Sequence, residues 1–264
     1  MYPVLFNIGT FQVGTYGLLL SFAFCLALVL SQYLGKRGGI PTKKTFDLAI
    51  SLLIAGVIGS KILMIIVDLF NGTDIVDIFD IKYLRAGGVV HGGIISAVIV
   101  FFWQSKRLGM PIANTMDCLV PSLALGQAVG RLGCFCAGCC YGTVSNLPWA
   151  VTFVDIDTQI ISGTPLAVPL HPVQIYSFLS SIIIMVVLLV IFKSRHFVGQ
   201  VSGCYFVMEG IARIIIEYWR GDIGRGFFLG MPWLSTGRIT SCFFIIFGVT
   251  IFIYSIKGKR VNGD

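Results

Sequence analysis

Charge is scarce in this sequence. Only 12% of its 264 residues are Asp, Glu, Lys or Arg, where a soluble domain has about a quarter, and 56% are hydrophobic. An ordinary water-soluble globule is excluded. Also missing is the period-two alternation of a membrane β-barrel: runs such as "SSIIIMVVLLVIF" at 180–192 are continuous, which favours helices. Residues 1–13 lack the basic segment that opens a cleavable signal peptide. No internal repeat or low-complexity linker stands out, so a single domain over 1–264 is the simplest expectation.

Stretches long enough to cross a bilayer, which takes ~20 helical residues, fall at 14–35, 46–68, 88–105, 112–133, 171–192, 198–219 and 233–256. They predict an all-α polytopic membrane protein with seven transmembrane helices. Lysines and arginines then orient it. Lys36, Arg37, Lys43, Lys44, Lys106, Arg107, Lys193, Arg195, Lys257, Lys259 and Arg260 all fall in connections on one side. The other side has Lys82, Arg85, Arg220 and Arg225, and its connection at 134–170 has no positive charge at all. The N-terminus is therefore expected outside and the C-terminus in the cytoplasm. The net charge of +7 is a topology signal and implies no nucleic acid. Residues 69–87, with Asp74, Asp77 and Asp80, suggest an interfacial arm. Residues 134–170, with the β-prone "WAVTFVDI", suggest a small outside head. Pro111 and Pro172 suit the first turns of their helices.

Ionisable side chains inside a bilayer are expensive and mark functional sites. On this topology Tyr16, Lys61, His91, Arg131, His171, Arg213, Glu217, Arg220 and Arg238 all reach the outer half of the membrane. Elements far apart in sequence thus deliver polar groups to one depth, which implies a polar cavity opening toward the outer leaflet. Arginines at that depth suit a phosphate, because the planar guanidinium offers paired, charge-assisted hydrogen bonds. Glu209, Arg213 and Glu217 follow one another at i, i+4 on one helix face. Arg220 and Arg225, at a helix end, read as interfacial anchors. His91, flanked by glycines in "AGGVVHGGII", can serve as a proton acceptor near neutral pH or as a packing residue. His171 reads as structural.

Cys134, Cys136, Cys139 and Cys140 have the spacing C-x-C-x-x-C-C, with no second pair of ligands following, so the usual zinc patterns do not apply and no metal is expected. Their place on the oxidising side leaves room for a local disulfide, such as one between Cys134 and Cys139. Cys25, Cys118, Cys204 and Cys242 sit singly within spans, as small apolar residues.

Taken in order, "YGLLLSF", "HGGIIS", "GRLGCF" followed by "YG", "HPVQIY", "GQVSG" with "RIIIEYWR", and "STGRITS" resemble the bacterial prolipoprotein diacylglyceryl transferases along nearly the whole chain. The resemblance implies transfer of the diacylglyceryl group of phosphatidylglycerol to the lipobox cysteine in a prolipoprotein signal peptide, with a thioether formed and glycerol phosphate released. It implies a multi-pass protein of the bacterial inner membrane, surrounded by membrane lipid, and no cofactor. It assigns catalysis to His91, Arg131, Arg213, Glu217 and Tyr16. Phosphatidylglycerol would lie against Arg131, Arg213, Arg238, Gly92, Gly93, Gly130 and Gly133. This chain departs from the family pattern at Cys134 and Cys139, where asparagine and glutamate are usual, at Glu209 for a tyrosine, and at Ser177 for a glutamate. The other readings are a related transferase with another acceptor, a phospholipid or anion transporter, and a thiol oxidoreductase built on the cysteines.

Overall fold

A computed structural model describes residues 4–8, 11–70, 72, 88–222 and 235–261, with the backbone alone at 7, 8, 11, 12, 161 and 258–261. The chain opens with an antiparallel hairpin, β1 (Val4–Ile8) and β2 (Phe11–Gly14), which sets Phe6 opposite Val13. Helices α1 (Thr15–Arg37), α2 (Thr42–Phe70), α3 (Val90–Arg107) and α4 (Ile112–Ala137) follow. The strand β3 (Val151–Thr152), the short helix α5 (Ile156–Ser162) and β4 (Pro169–Leu170) come next. Three long helices complete the described chain: α6 (Val173–Ser194), α7 (Gln200–Glu217) and α8 (Thr236–Val261).

Each long helix coincides with one expected span, its ends moved by a few residues. Five of them, α1, α2, α4, α6 and α8, are long and apolar enough to cross a membrane. The other two, α3 and α7, have 18 residues each, and α7 spends three of them on Glu209, Arg213 and Glu217. Backbone groups in lipid must bond within their own segment, and the hydroxyls do likewise. Ser21, Ser177 and Thr240 donate to the carbonyls of Gly17, Val173 and Thr236 at 2.8–2.9 Å.

The chain forms two compact units, Gln32–Thr115 and the remainder. In the first, α2 and α3 cross where side chains are absent. A methyl on Gly92 would strike the Gly59 carbonyl, and one on Gly93 would lie 2.9 Å from the Gly56 carbonyl. Ser96 Oγ donates across the crossing to the Ala55 carbonyl at 2.6 Å. Close backbone approach of this kind is how helices associate where lipid removes the hydrophobic drive.

No internal repeat stands out in the sequence, yet a short corner motif occurs twice. "KRGGIPTKKTFD" (36–47) and "KRLGMPIANTMD" (106–117) share K-R-x-G-x-P-x-x-x-T-x-D. Each turns the chain through a left-handed glycine, Gly39 at φ +78° and Gly109 at φ +61°, as a helix end requires. The two corners grip each other reciprocally: Lys44 Nζ donates to the Leu108 carbonyl at 2.6 Å, and Asn114 Nδ2 to the Gly38 carbonyl at 2.8 Å. The motif hides in the sequence because only turn-making positions repeat, while the apolar residues between them are interchangeable.

In the second unit, α7 and α8 meet along glycines. A methyl on Gly203 would lie 3.1 Å from the Gly248 carbonyl, and one on Gly210 would lie 2.8 Å from the Ser241 carbonyl. The start of α7 is fixed by Asp117 of α4, which is fully buried. Its carboxylate accepts from Gly199 N (2.8 Å), Ser202 N (2.9 Å) and Ser202 Oγ (2.8 Å), and pairs with Arg195 at 3.4 Å. The head expected over 134–170 has a small core of Tyr141, Phe153 and Leu170. Its strand character is limited to Val151–Thr152, paired with Pro169–Leu170. The arm expected over 69–87 lies outside the described residues, apart from the end of α2 and Gly72.

Candidate active site

The face of α7 foreseen from its spacing is realised. Arg213 Nη2 lies 3.4 Å from Glu217 Oε2, and Arg220 Nη1, just past the helix, lies 3.7 Å from the same oxygen. Glu217 is buried, 1% exposed at its side chain, and a carboxylate so placed is tolerable only when paired. Arg220 was read from sequence as an interfacial anchor, and the structure corrects this. Its side chain is only 10% exposed, and it is clamped in both directions. Asp222 takes two hydrogen bonds from it, at 2.5 Å from Nε and 2.9 Å from Nη2. Arg225 lies outside the described residues.

α8 enters this network through a residue with no side chain. A methyl on Gly237, in the first turn of α8, would lie 2.9 Å from Glu217 Oε2 and 3.3 Å from Arg213 Nη2. Neither Gly237 nor Asp222 was legible as a site residue, because their roles come from the α7–α8 crossing and from the loop after α7.

Arg131 of α4 and Arg213 of α7 together line a small polar cavity with Gln127, Ser177, Ser181 and Glu209. Its volume, about 20 Å³, is on the scale of one or two water molecules. It shares Ser180, Ala212 and Ile216 with a groove of about 510 Å³ whose other walls include Leu147, Trp149, Tyr176 and Trp219. That volume is within the range of small-molecule sites. The aromatic wall is tied together: Trp149 Nε1 donates to Tyr176 Oη at 2.8 Å, and Tyr176 Oη meets His171 Nδ1 at 3.2 Å. His171, read from its sequence context as structural, is held in this wall and itself lines the groove. Guanidinium groups beside an apolar groove suit a ligand with an anionic head and hydrocarbon tails.

The signature loop follows directly on α4. Gly142 N donates to the His171 carbonyl at 3.1 Å, Thr143 N to the Trp219 carbonyl at 2.8 Å, and Gly221 N to the Tyr141 carbonyl at 3.0 Å. Gln174 Nε2 donates to the Cys139 carbonyl at 2.8 Å. The loop is therefore laced between the start of α6 and the end of α7. Cys134, Cys139 and Cys140 converge there, their sulfurs within 4.8 Å of one another, and Arg220 Nη2 donates to Cys140 Sγ at 3.6 Å. Contacts from the Cys134 and Cys139 thiols hold the Cys140 thiol below its ordinary range against the effect of burial, with Arg220 and Arg131 adding to the lowering. The Cys139 thiol is pushed up by hydrogen bonding with Cys134 and Cys140. All eight cysteines are free thiols, so the Cys134–Cys139 disulfide allowed by the sequence is absent.

The remaining candidates separate. Tyr16 opens α1 and packs on α4, where a methyl on Gly133 would lie 3.1 Å from its ring. Gly130 has open space where a Cβ would stand. Arg238 is half-buried in the first turn of α8, its backbone N–H donating to Ser235 Oγ at 3.3 Å. His91, exposed in the first turn of α3, belongs to the other unit with Gly92 and Gly93.

Fold and site define a helical membrane protein that joins an arginine–carboxylate network to an apolar groove. Comparison with known proteins makes this specific. The family described as prolipoprotein diacylglyceryl transferase matches residues 3–254. A phosphatidylglycerol–prolipoprotein diacylglyceryl transferase of Clostridium tetani is 35% identical over 252 residues, covering 96% of this chain and 97% of the relative. One from Finegoldia magna is 32% identical, covering 97% and 96%. The chain belongs to the prolipoprotein diacylglyceryl transferase family.

Proposed function

We propose that this chain transfers the diacylglyceryl group of phosphatidylglycerol to a prolipoprotein, as its relatives' names describe, and that the acceptor is the lipobox cysteine. The observation that carries the reading is the Arg131–Arg213 cavity sharing its wall with a hydrocarbon-lined groove. In the reaction the acceptor sulfur forms a bond to the glycerol carbon that bears the phosphodiester. The C–O bond breaks, and its electron pair leaves on glycerol phosphate. Arg131 and Arg213 stabilise the charge that develops on the phosphate. Glu217 holds Arg213 and Arg220 in register. His91 is assigned the thiol proton. Tyr16, Arg238, Gly92, Gly93, Gly130 and Gly133 are assigned to the headgroup's surroundings.

The same proposal has a seven-span domain over 1–264 in the bacterial inner membrane, with the N-terminus outside, the C-terminus cytoplasmic and the site facing the outer leaflet. The arm at 69–87 and the head at 134–170 then lie on the outer side. The one-sided distribution of Lys and Arg supports that orientation.

The test uses membranes depleted of their own transferase, labelled phosphatidylglycerol and a lipobox peptide. Label is expected on the peptide cysteine, with a fall of about 10²-fold or more for Arg131→Ala and Arg213→Lys. Full activity of Arg213→Lys would remove the paired hydrogen bonding to phosphate. Full activity of His91→Ala would remove its base role. No label from folded, inserted protein would overturn the transfer reaction, and labelled lipid consumed without label on the peptide would point to another acceptor.

A further inference from the structure

Three of the four loop cysteines are brought together by tertiary structure. Cys134 stands in the last turn of α4, whereas Cys139 and Cys140 lie beyond it, and their sulfurs are within 4.8 Å of one another. Cys136, between them in sequence, stays outside the group. Thiolates bound to one zinc at about 2.3 Å lie roughly 3.8 Å apart, so the trio needs only a small contraction to close on an ion.

The surroundings are built for such a group. Gly138 and Cys140 both take positive φ, +79° and +58°, and at a non-glycine such a conformation persists only where its surroundings impose it. Gln174, itself 1% exposed, fixes the Cys139 carbonyl. Arg220 already donates to Cys140 Sγ. Three thiolates and a divalent cation carry a net charge of −1, which Arg220 beside them offsets. All three cysteines are partly exposed, unlike the sealed ligands of a structural zinc centre, which leaves a fourth position accessible.

We propose that Cys134, Cys139 and Cys140 form a three-thiolate site for a thiophilic divalent cation of the zinc class, with its fourth position open to a thiol. This reverses the expectation drawn from spacing alone. Resting on the transferase reading, the incoming thiol is the acceptor cysteine. On coordination it displaces a water and loses its proton, because a metal-bound thiol is deprotonated, to the base that the transferase reading assigns. The bound sulfur then attacks the glycerol carbon as the C–O electron pair departs on phosphate. The neutral thioether leaves and water returns to the ion.

The full-length, thiol-reduced protein in detergent would be titrated with Co(II) and Zn(II). One equivalent of Co(II) should give the visible bands of a tetrahedral, thiolate-rich site, and Zn(II) should displace it. Cys139→Ser and Cys140→Ser should each weaken binding by at least about tenfold, while Cys136→Ser and Cys204→Ser keep it. Zn(II) should also shield Cys134, Cys139 and Cys140 from alkylation in the wild-type protein, a readout that does not depend on the variants folding. A lipobox peptide should shift the Co(II) bands, and its Cys→Ser analogue should not.

The site is overturned if no one-to-one bands form, if they survive in a Cys139→Ser/Cys140→Ser double variant, or if protein with thiols trapped at lysis contains a Cys134–Cys139 disulfide. Full transfer by chelator-stripped protein overturns the metal's part in the reaction and leaves the transferase reading standing. No transfer by any form, with Co(II) bands intact, counts against the transferase reading and leaves the cation site standing.

Discussion

Two arginines that look alike in the sequence show what a residue's surroundings decide. Arg213 has Glu209 and Glu217 one helical step to either side, so its pairing could be read from spacing. Arg220 also faces Glu217, at i+3, yet its strongest partner, Asp222, lies in a loop that no periodicity governs. Gly237 is subtler still, because its contribution is the space it leaves beside Glu217 and Arg213. Gly237→Ala is expected to push the Glu217 carboxylate off Arg213, lowering transfer at least about tenfold and stability by about 1–3 kcal/mol. Unchanged transfer kinetics would show that the network tolerates the displacement.

At the scale of elements, helix placement depends on small residues and one carboxylate. Asp117 caps α7 from a different helix, so it sets where Arg213 and Glu217 stand relative to α4 and its Arg131. Asp117→Asn would turn an amide NH₂ toward donors that now meet an acceptor. It is expected to destabilise the protein by about 2 kcal/mol, a fall of roughly 4–8 °C in melting temperature for a chain of this size. Asp47 occupies the equivalent position in the repeated corner and is half-exposed, so Asp47→Asn should change stability by no more than about 0.5 kcal/mol. Equal effects of the two substitutions, read by thermal unfolding in detergent, would contradict the capping role. Sequence patterning found the helices but missed this asymmetry between copies of one motif, because burial alone separates them.

For the whole molecule, the reading turns on one membrane-facing property and one polar one. Large apolar side chains such as Leu18, Val29, Ile54, Val57 and Ile183 are exposed, as lipid contact requires. Reporter fusions should place the N-terminus outside and the C-terminus in the cytoplasm, and removing Lys36, Arg37, Lys43 and Lys44 together should weaken that bias. A cytoplasmic N-terminus in the unaltered chain would reverse the orientation and move the arginine site to the inner leaflet.

The sequence by itself determined what depends on local composition. Its apolar runs placed every long helix to within a few residues, since a run of that length must satisfy its backbone internally. Motif order pointed to the family, and i, i+4 spacing exposed the Arg213–Glu217 pair. Only the tertiary structure decided what depends on contacts between distant segments. It buried Arg220 against Asp222, brought Gly237 onto Glu217, opened an apolar groove beside the arginines, and gathered Cys134, Cys139 and Cys140 while leaving Cys136 aside. Burial and close approach are set by how helices cross, and no local pattern records a crossing made by the absence of side chains.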